Sequence, residues 1–181
     1  KFDLLTHILK QEDVKKAVVF ANKRETVQFL SGKLTSADIN SAWLEGQMPQ
    51  DKRNSSVARL KNDDVNVLVA TDVAARGLDI DNISHVINFD MPRKADIYLH
   101  RIGRTGRAGN KGTAISLVEA HDMLVVGKIE RYMGERLQRR VIDSLRPQNK
   151  EARVPMKKPK VKKSKAQKKA KAKKQAKRSK S

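Results

Sequence analysis

Apolar positions in this chain fall into two periods that take turns. Phe2, Leu5, Ile8 and Leu9 recur at helical spacing within KFDLLTHILKQE, residues 1–12, so a helix is predicted there. AVVFA at 17–21 is a short β-branched run, the pattern of a strand buried on both faces of a parallel sheet. KRETVQFLSGKL at 23–34 follows, with Val27, Leu30 and Leu34 on one helical face. The unit repeats with SAWL at 41–44 as strand and PQDKRNSSVARLK at 49–61 as helix, Pro49 lying near the start, where an absent N–H does no harm. VNVLVA at 65–70 and HVINFD at 85–90 read as strands, and a helix is predicted from about Lys94 to Ile102. TAISLV at 113–118 is the next strand, before a helix from about His121 to Met133. This alternation predicts an α/β fold: a parallel sheet flanked by helices, with the strand-end loops gathered along one edge.

Charge divides the chain where hydrophobicity alone does not. The 181 residues carry a formal net charge of +20. Residues 146–181 hold 17 of the 40 Lys and Arg but only one of the 20 acids, Glu151, so the tail carries most of that excess. From Pro155 onward the composition is almost entirely Lys, Ala, Gln, Ser and Pro, which cannot build a core and predicts disorder. We therefore expect a folded domain over 1–146 and a disordered Lys-rich tail over 147–181. Such a tail neutralises phosphates by releasing counterions, a sequence-independent and salt-dependent grip on nucleic acid. It lacks the Trp, Phe and Leu face of an interfacial helix, so a membrane partner is not expected.

Cysteine is absent, which excludes disulfides, thiolate chemistry and Cys-based zinc sites. His7, His85, His100 and His121 lack ligand spacing, so no metal site is expected. No apolar run is long enough to span a bilayer and none starts the chain as a signal peptide would, so a soluble, cytoplasmic protein is expected. The chain begins without Met and reads as an excised piece.

Two motifs carry the chemistry. HRIGRTGR at 100–107 concentrates Arg101, Arg104 and Arg107 around Gly103 and Gly106. Their i, i+3 spacing would set the three on one side of a helical turn, where guanidinium forks can grip phosphate oxygens bidentately, as an arginine finger does. VNVLVATDVAARGLDI at 65–80 is a buried strand emptying into a loop with Thr71, Asp72, Arg76, Gly77 and Asp79. Ligands of open parallel sheets bind beyond the carboxyl ends of strands, so this loop and the arginines should form one composite site. There a hydroxyl can bind phosphate and a carboxylate can bind ribose; for Asp72 a helix-capping role serves as well. In LEGQMPQDKR at 44–53, Gln50 and Arg53 share a face near a helix start, a place that attracts phosphate. The GxxxxGK[ST] loop and a DEAD tetrad are absent from the sequence, so the phosphate cradle and Mg²⁺ ligands must come from elsewhere.

These motifs resemble the second RecA-like domain of DEAD-box RNA helicases from Lys1 to about Arg146. The resemblance implies a RecA-like sheet, ATP as cofactor with Mg²⁺ held by an absent N-terminal domain, and RNA unwinding as the activity of the whole protein. By it, Arg104 and Arg107 would be arginine fingers on the γ-phosphate. Arg76 and His100 would couple the two domains on the ATP side, Asp79 would contact the ATP ribose, and Gly77 would belong to the same ATP-binding set. Thr71, Gly46, Gln50 and Arg53 would touch the RNA sugar-phosphate backbone rather than its bases. His100 at the head of the last motif is the DEAD-box form, where related DEAH and DNA helicases generally show Gln. LEGQMPQDKRN, VINFDMPR, KGTAISLVEAHD and RVIDSLRP are similar to a bacterial member with a basic tail. That likeness implies ribosomal RNA as substrate during large-subunit assembly, with ribosomal proteins as possible partners and the N-terminal RecA-like domain in cis.

Two rival classes stand beside this reading. One is a non-catalytic basic RNA-binding or annealing module, with the fold as scaffold. The other is a DNA translocase of the same superfamily, against which His100 and the Gln50–Arg53 helix argue.

Overall fold

The computed structural model describes residues 1–77, 80, 82–107, 109 and 111–146. Asp79 and the Lys-rich tail lie outside the described residues. Five strands form one parallel sheet: β1 (Ala17–Phe20), β2 (Ser41–Leu44), β3 (Val67–Ala70), β4 (His85–Asn88) and β5 (Thr113–Ser116), in spatial order β2-β3-β1-β4-β5. The helices are α1 (Phe2–Leu9), α2 (Arg24–Thr35), α3 (Gln50–Lys61), the single turn α4 (Asp72–Ala75), α5 (Ala95–Ile102) and α6 (Met123–Met133). The helix expected from His121 begins instead as a 3₁₀ turn over Ala120–Asp122, and Asp143–Leu145 forms another.

Position in the sheet explains each strand's composition. The central strands β1, β3 and β4 are buried at every residue, which is why they read as unbroken apolar runs. The edge strand β2 alternates, with Ala42 and Leu44 inward, and β5 is exposed over its first two residues and half-buried over its last two. One core layer packs Val19, Val67, Val69 and Ile87 against Leu5, Val27, Leu30 and Leu34 of α1 and α2. The opposite layer sets Val18, Phe20, Leu68 and Val86 against Leu60, Ala74, Ala75, Ile80 and Ile83. A third cluster joins α5 to α6 through Tyr98, Val126 and Ile129. Gly134 closes α6 at φ 77°, a left-handed cap that glycine takes without strain.

Burial also gives the fold a pH dependence. His85, at the start of β4, is 4% exposed, with Nδ1 3.0 Å from Ser84 Oγ and Nε2 3.7 Å from Asp13. Desolvation holds its pKa below the ordinary 6.5, and Asp13 opposes this more weakly. The unfolded chain takes up a proton near pH 6.5 that the folded chain resists, so stability is full above that pH and is lost as pH falls toward the depressed folded value. Urea midpoints are therefore expected to fall between pH 7.5 and 5.5, and His85→Gln to flatten that dependence. An unchanged slope in the variant would assign the dependence to other groups. Glu119, held low by Lys1, starts from 4.5 and titrates below this window.

Candidate functional site

Parallel pairing in step aligns Phe20, Leu44, Ala70, Asn88 and Ser116 in one row, so the loops that follow them leave the sheet together. Arg101 ties these ends to one another. Its Nε and Nη2 donate to the two Asp72 carboxylate oxygens at 2.6 and 2.8 Å, its Nη1 to Asn88 Oδ1 at 3.1 Å and the Asp90 carbonyl at 2.6 Å, and its Nη2 to Asn22 Oδ1 at 2.8 Å. All five guanidinium N–H groups are thereby used. The side chain is 1% exposed and lies 5.2 Å over the Phe20 ring. Asn22 is fixed in turn, its Nδ2 donating to the Met91 carbonyl and its backbone N–H to Asp90.

This corrects two expectations. Arg101, Arg104 and Arg107 do not share a helical face, because α5 ends at Ile102 with Gly103 as its cap, and only Arg101 is helical. Arg101 grips carboxylate and carbonyl groups within the domain instead of an external phosphate. Asp72 has no capping role, because its carboxylate is bound by Arg101, and Thr71 at the head of α4 makes no side-chain capping bond. Asn22 lies in AVVFANKR, residues 17–24, which fits the family's motif there only loosely because Lys23 stands where Thr is more usual; its place in this network lies just past the first buried strand.

Arg104 and Arg107 lie in the turns beyond α5. The Arg104 N–H donates to the Arg101 carbonyl at 3.1 Å, and the side chain borders a crevice lined by Val18, Phe20, Ala75, Ile80 and Ile83. Arg107 is exposed, its Nε donating to the Gly103 carbonyl at 2.8 Å. Desolvation, then the Arg107 charge, lowers the Arg104 pKa. Since α5 runs back along the sheet, Thr105 Oγ1 reaches the Ile83 and Ser84 carbonyls just before β4. Arg104 thus lies along a sheet face and not at the strand-end edge, although Ala75 joins that face to the Thr71 loop.

The other expected residues converge on that loop. Arg53 Nη2 donates to the Ala74 carbonyl at 2.6 Å and the Arg76 carbonyl at 3.5 Å. Gly46 sits against Val73, and the Thr71 N–H donates to Leu44 of β2 at 3.3 Å. Gln50, one turn before Arg53, is exposed and donates to Asn54 at 2.8 Å. Gly46, Gln50, Arg53 and Thr71 therefore form one group at the β2–β3 end. Arg76 is exposed after α4, Gly77 turns the chain at φ 70°, and His100 is exposed on the last turn of α5. Among the described residues, Glu119, His121 and Asp122 bring their ligand atoms within 4.8 Å of one another. The Asp122 carboxylate already accepts the Glu119 N–H in a capping box. No helix among the described residues is long and apolar enough to cross a membrane.

Residues 1–109 match the helicase conserved C-terminal domain. The ATP-dependent RNA helicase SrmB of Escherichia coli strain K12 is 59% identical over 150 residues, covering 83% of this chain and 34% of that protein. SrmB of Haemophilus influenzae is 51% identical over 166 residues, covering 92% and 38%. The chain thus spans little more than a third of the length of these relatives. A crystal structure of E. coli DEAD-box protein SrmB bound to regulator of ribonuclease activity A superposes with a TM-score of 0.79 at 59% identity, covering 82% of this chain and 88% of that one. The C-terminal domain of the DEAD-box protein Dbp5 superposes with a TM-score of 0.67 at 34% identity, covering 74% and 78%. With a five-stranded parallel RecA-like sheet and both arginine-bearing motifs in place, the chain belongs to the helicase conserved C-terminal domain family, in its DEAD-box form.

Proposed function

We propose that this chain is the half of an ATP-dependent RNA helicase that completes the ATPase site and grips RNA. The observation that carries the reading is the pair Arg104 and Arg107, two mutually repelling guanidiniums in the turns beyond α5, with Arg104 on a crevice that Ala75 of the 71–77 loop also lines. Donor-only, permanently charged groups so placed fit a polyphosphate. The nucleotide, with Mg²⁺ held by the upstream half, supplies the γ-phosphoryl group to be transferred. Arg104 and Arg107 stabilise charge spreading over its oxygens when the halves close; Arg76 and His100 couple the two halves, and Asp79 and Gly77 serve the ribose. Gly46, Gln50, Arg53 and Thr71 hold the RNA backbone without reading bases, and the Lys-rich tail adds a salt-sensitive grip.

Closure then favours a bent RNA strand, and loss of the γ-phosphate contacts reopens the pair, since a ligand shifts an equilibrium only through its differential affinity. We extend the substrate to structured ribosomal RNA during large-subunit assembly in the cytoplasm, as the sequence resemblance implies. It also makes ribosomal proteins, and a regulator like the one bound to SrmB, partners to test. The second reading, a basic RNA-binding or annealing module, is favoured by the charge of residues 146–181 alone.

RNA-stimulated ATP hydrolysis separates them. The chain alone is expected to be silent and the chain joined to its native upstream half active. Silence in both would favour the binding module, and turnover by the chain alone would refute the assignment of the phosphate cradle to the other half.

A further inference from the structure

We propose that the Asp72–Arg101 ion pair is a positioning device that transmits RNA engagement at the β2–β3 end to the arginine fingers; the inference rests on the helicase reading above. The contacts form an unbroken chain. Arg53, beside Gln50, holds the Ala74 and Arg76 carbonyls and so fixes α4 from the RNA side. Asp72, the first residue of α4, is held by both carboxylate oxygens to Arg101. The Arg101 carbonyl accepts the Arg104 N–H, and the Leu99 carbonyl accepts the Gly103 N–H, so the turn presenting Arg104 hangs from this residue's own helical turn.

The middle link is stiff. A bidentate fork between a planar guanidinium and a carboxylate tolerates little rotation, and Arg101 has no spare donor with which to rearrange. Displacing α4 must then either drag α5 with it or break charge-assisted bonds around a guanidinium that is 1% exposed. Small shifts at such a packed element move it as a body. Asn22, Asn88 and the Asp90 carbonyl anchor the same guanidinium to the ends of β1 and β4. The guanidinium thus keeps α4 and α5 in register with the sheet ends, so a shift of α4 is carried to α5 through it rather than absorbed between them.

The test uses the protein joined to its upstream half and reads the ratio of turnover at saturating RNA to turnover without RNA. Asp72→Asn keeps the shape but removes the carboxylate charge. It is expected to lower that ratio about tenfold, within the range of typical coupling between sites, while RNA affinity stays within about twofold because no proposed RNA contact is altered. A merely structural role would reduce the active fraction and scale both rates alike, leaving the ratio unchanged. Asp72→Glu keeps the countercharge, so the fold survives should Asp72→Asn fail to fold, but its extra methylene spoils the fork; its ratio is expected to fall as well. An unchanged ratio in folded Asp72→Asn, or in Asp72→Glu, would overturn the proposal. Absence of RNA stimulation in the unaltered protein would instead sink the helicase reading itself.

Discussion

Arg107→Ala, in the protein joined to its upstream half, is expected to slow ATP turnover by about a thousandfold, the lower end of what an arginine finger contributes. RNA affinity should stay nearly intact, because the residue lies away from Gly46, Gln50, Arg53 and Thr71 and leaves the charge of the tail untouched. The geometry explains so large an effect for one exposed side chain. Arg107 is pinned through Nε to the Gly103 carbonyl at 2.8 Å, which fixes the stem that carries its guanidinium. Arg104 is held against the sheet face with its charge partly desolvated, so it meets developing negative charge in surroundings that strengthen the interaction. Lysine at position 107 should recover little, since a compact ammonium cannot reproduce the fork. Turnover within tenfold of the unaltered protein would remove Arg107 from the finger assignment.

The fold was legible because its determinants are local. β1, β3 and β4 announce themselves as continuous apolar runs because the sheet buries both of their faces, and α1 and α2 show one apolar stripe each because they cover one face of it. The site was legible at the level of motifs but not of roles. HRIGRTGR looks like one cluster of three equivalent cations, yet the helix ends after Ile102, so Arg101 is turned inward while Arg104 and Arg107 fall in the turns beyond it. The predicted end of this helix at Ile102 already places Arg104 and Arg107 beyond it, so the i, i+3 spacing of the three arginines cannot set them on one helical face. The Arg101 network joins residues 22, 72, 88, 90 and 101 from five separate loops and elements. Only the strand order β3-β1-β4 makes them neighbours, and a pairing set by topology leaves no periodic trace along the chain.

That network sets the second large effect. Arg101→Ala should destabilise the domain by about 3 kcal/mol or more, because removing one partner of a buried ion pair strands the other. Asp72 retains 27% exposure, so water relieves part of its stranded charge and the loss belongs at the low end of that range. Asn22, Asn88 and the Asp90 carbonyl lose their donor as well, and the Phe20 ring loses its cover. For a chain of this size the melting temperature should fall by roughly 10 °C, measured by circular dichroism at neutral pH. Lysine should rescue little, since three donors on a flexible stem cannot reach acceptors set for a planar fork. The decisive comparison is Arg101→Met alone against Arg101→Met with Asp72→Leu. If the cost is chiefly a stranded carboxylate, the double variant is the more stable of the two, since no charge is left without its partner. If it is chiefly the lost span between β1, β4 and α5, the double variant gains nothing. A single Arg101→Ala variant within about 1 kcal/mol of the unaltered chain, the worth of an ordinary hydrogen bond, would mean that the guanidinium holds these ends together only weakly.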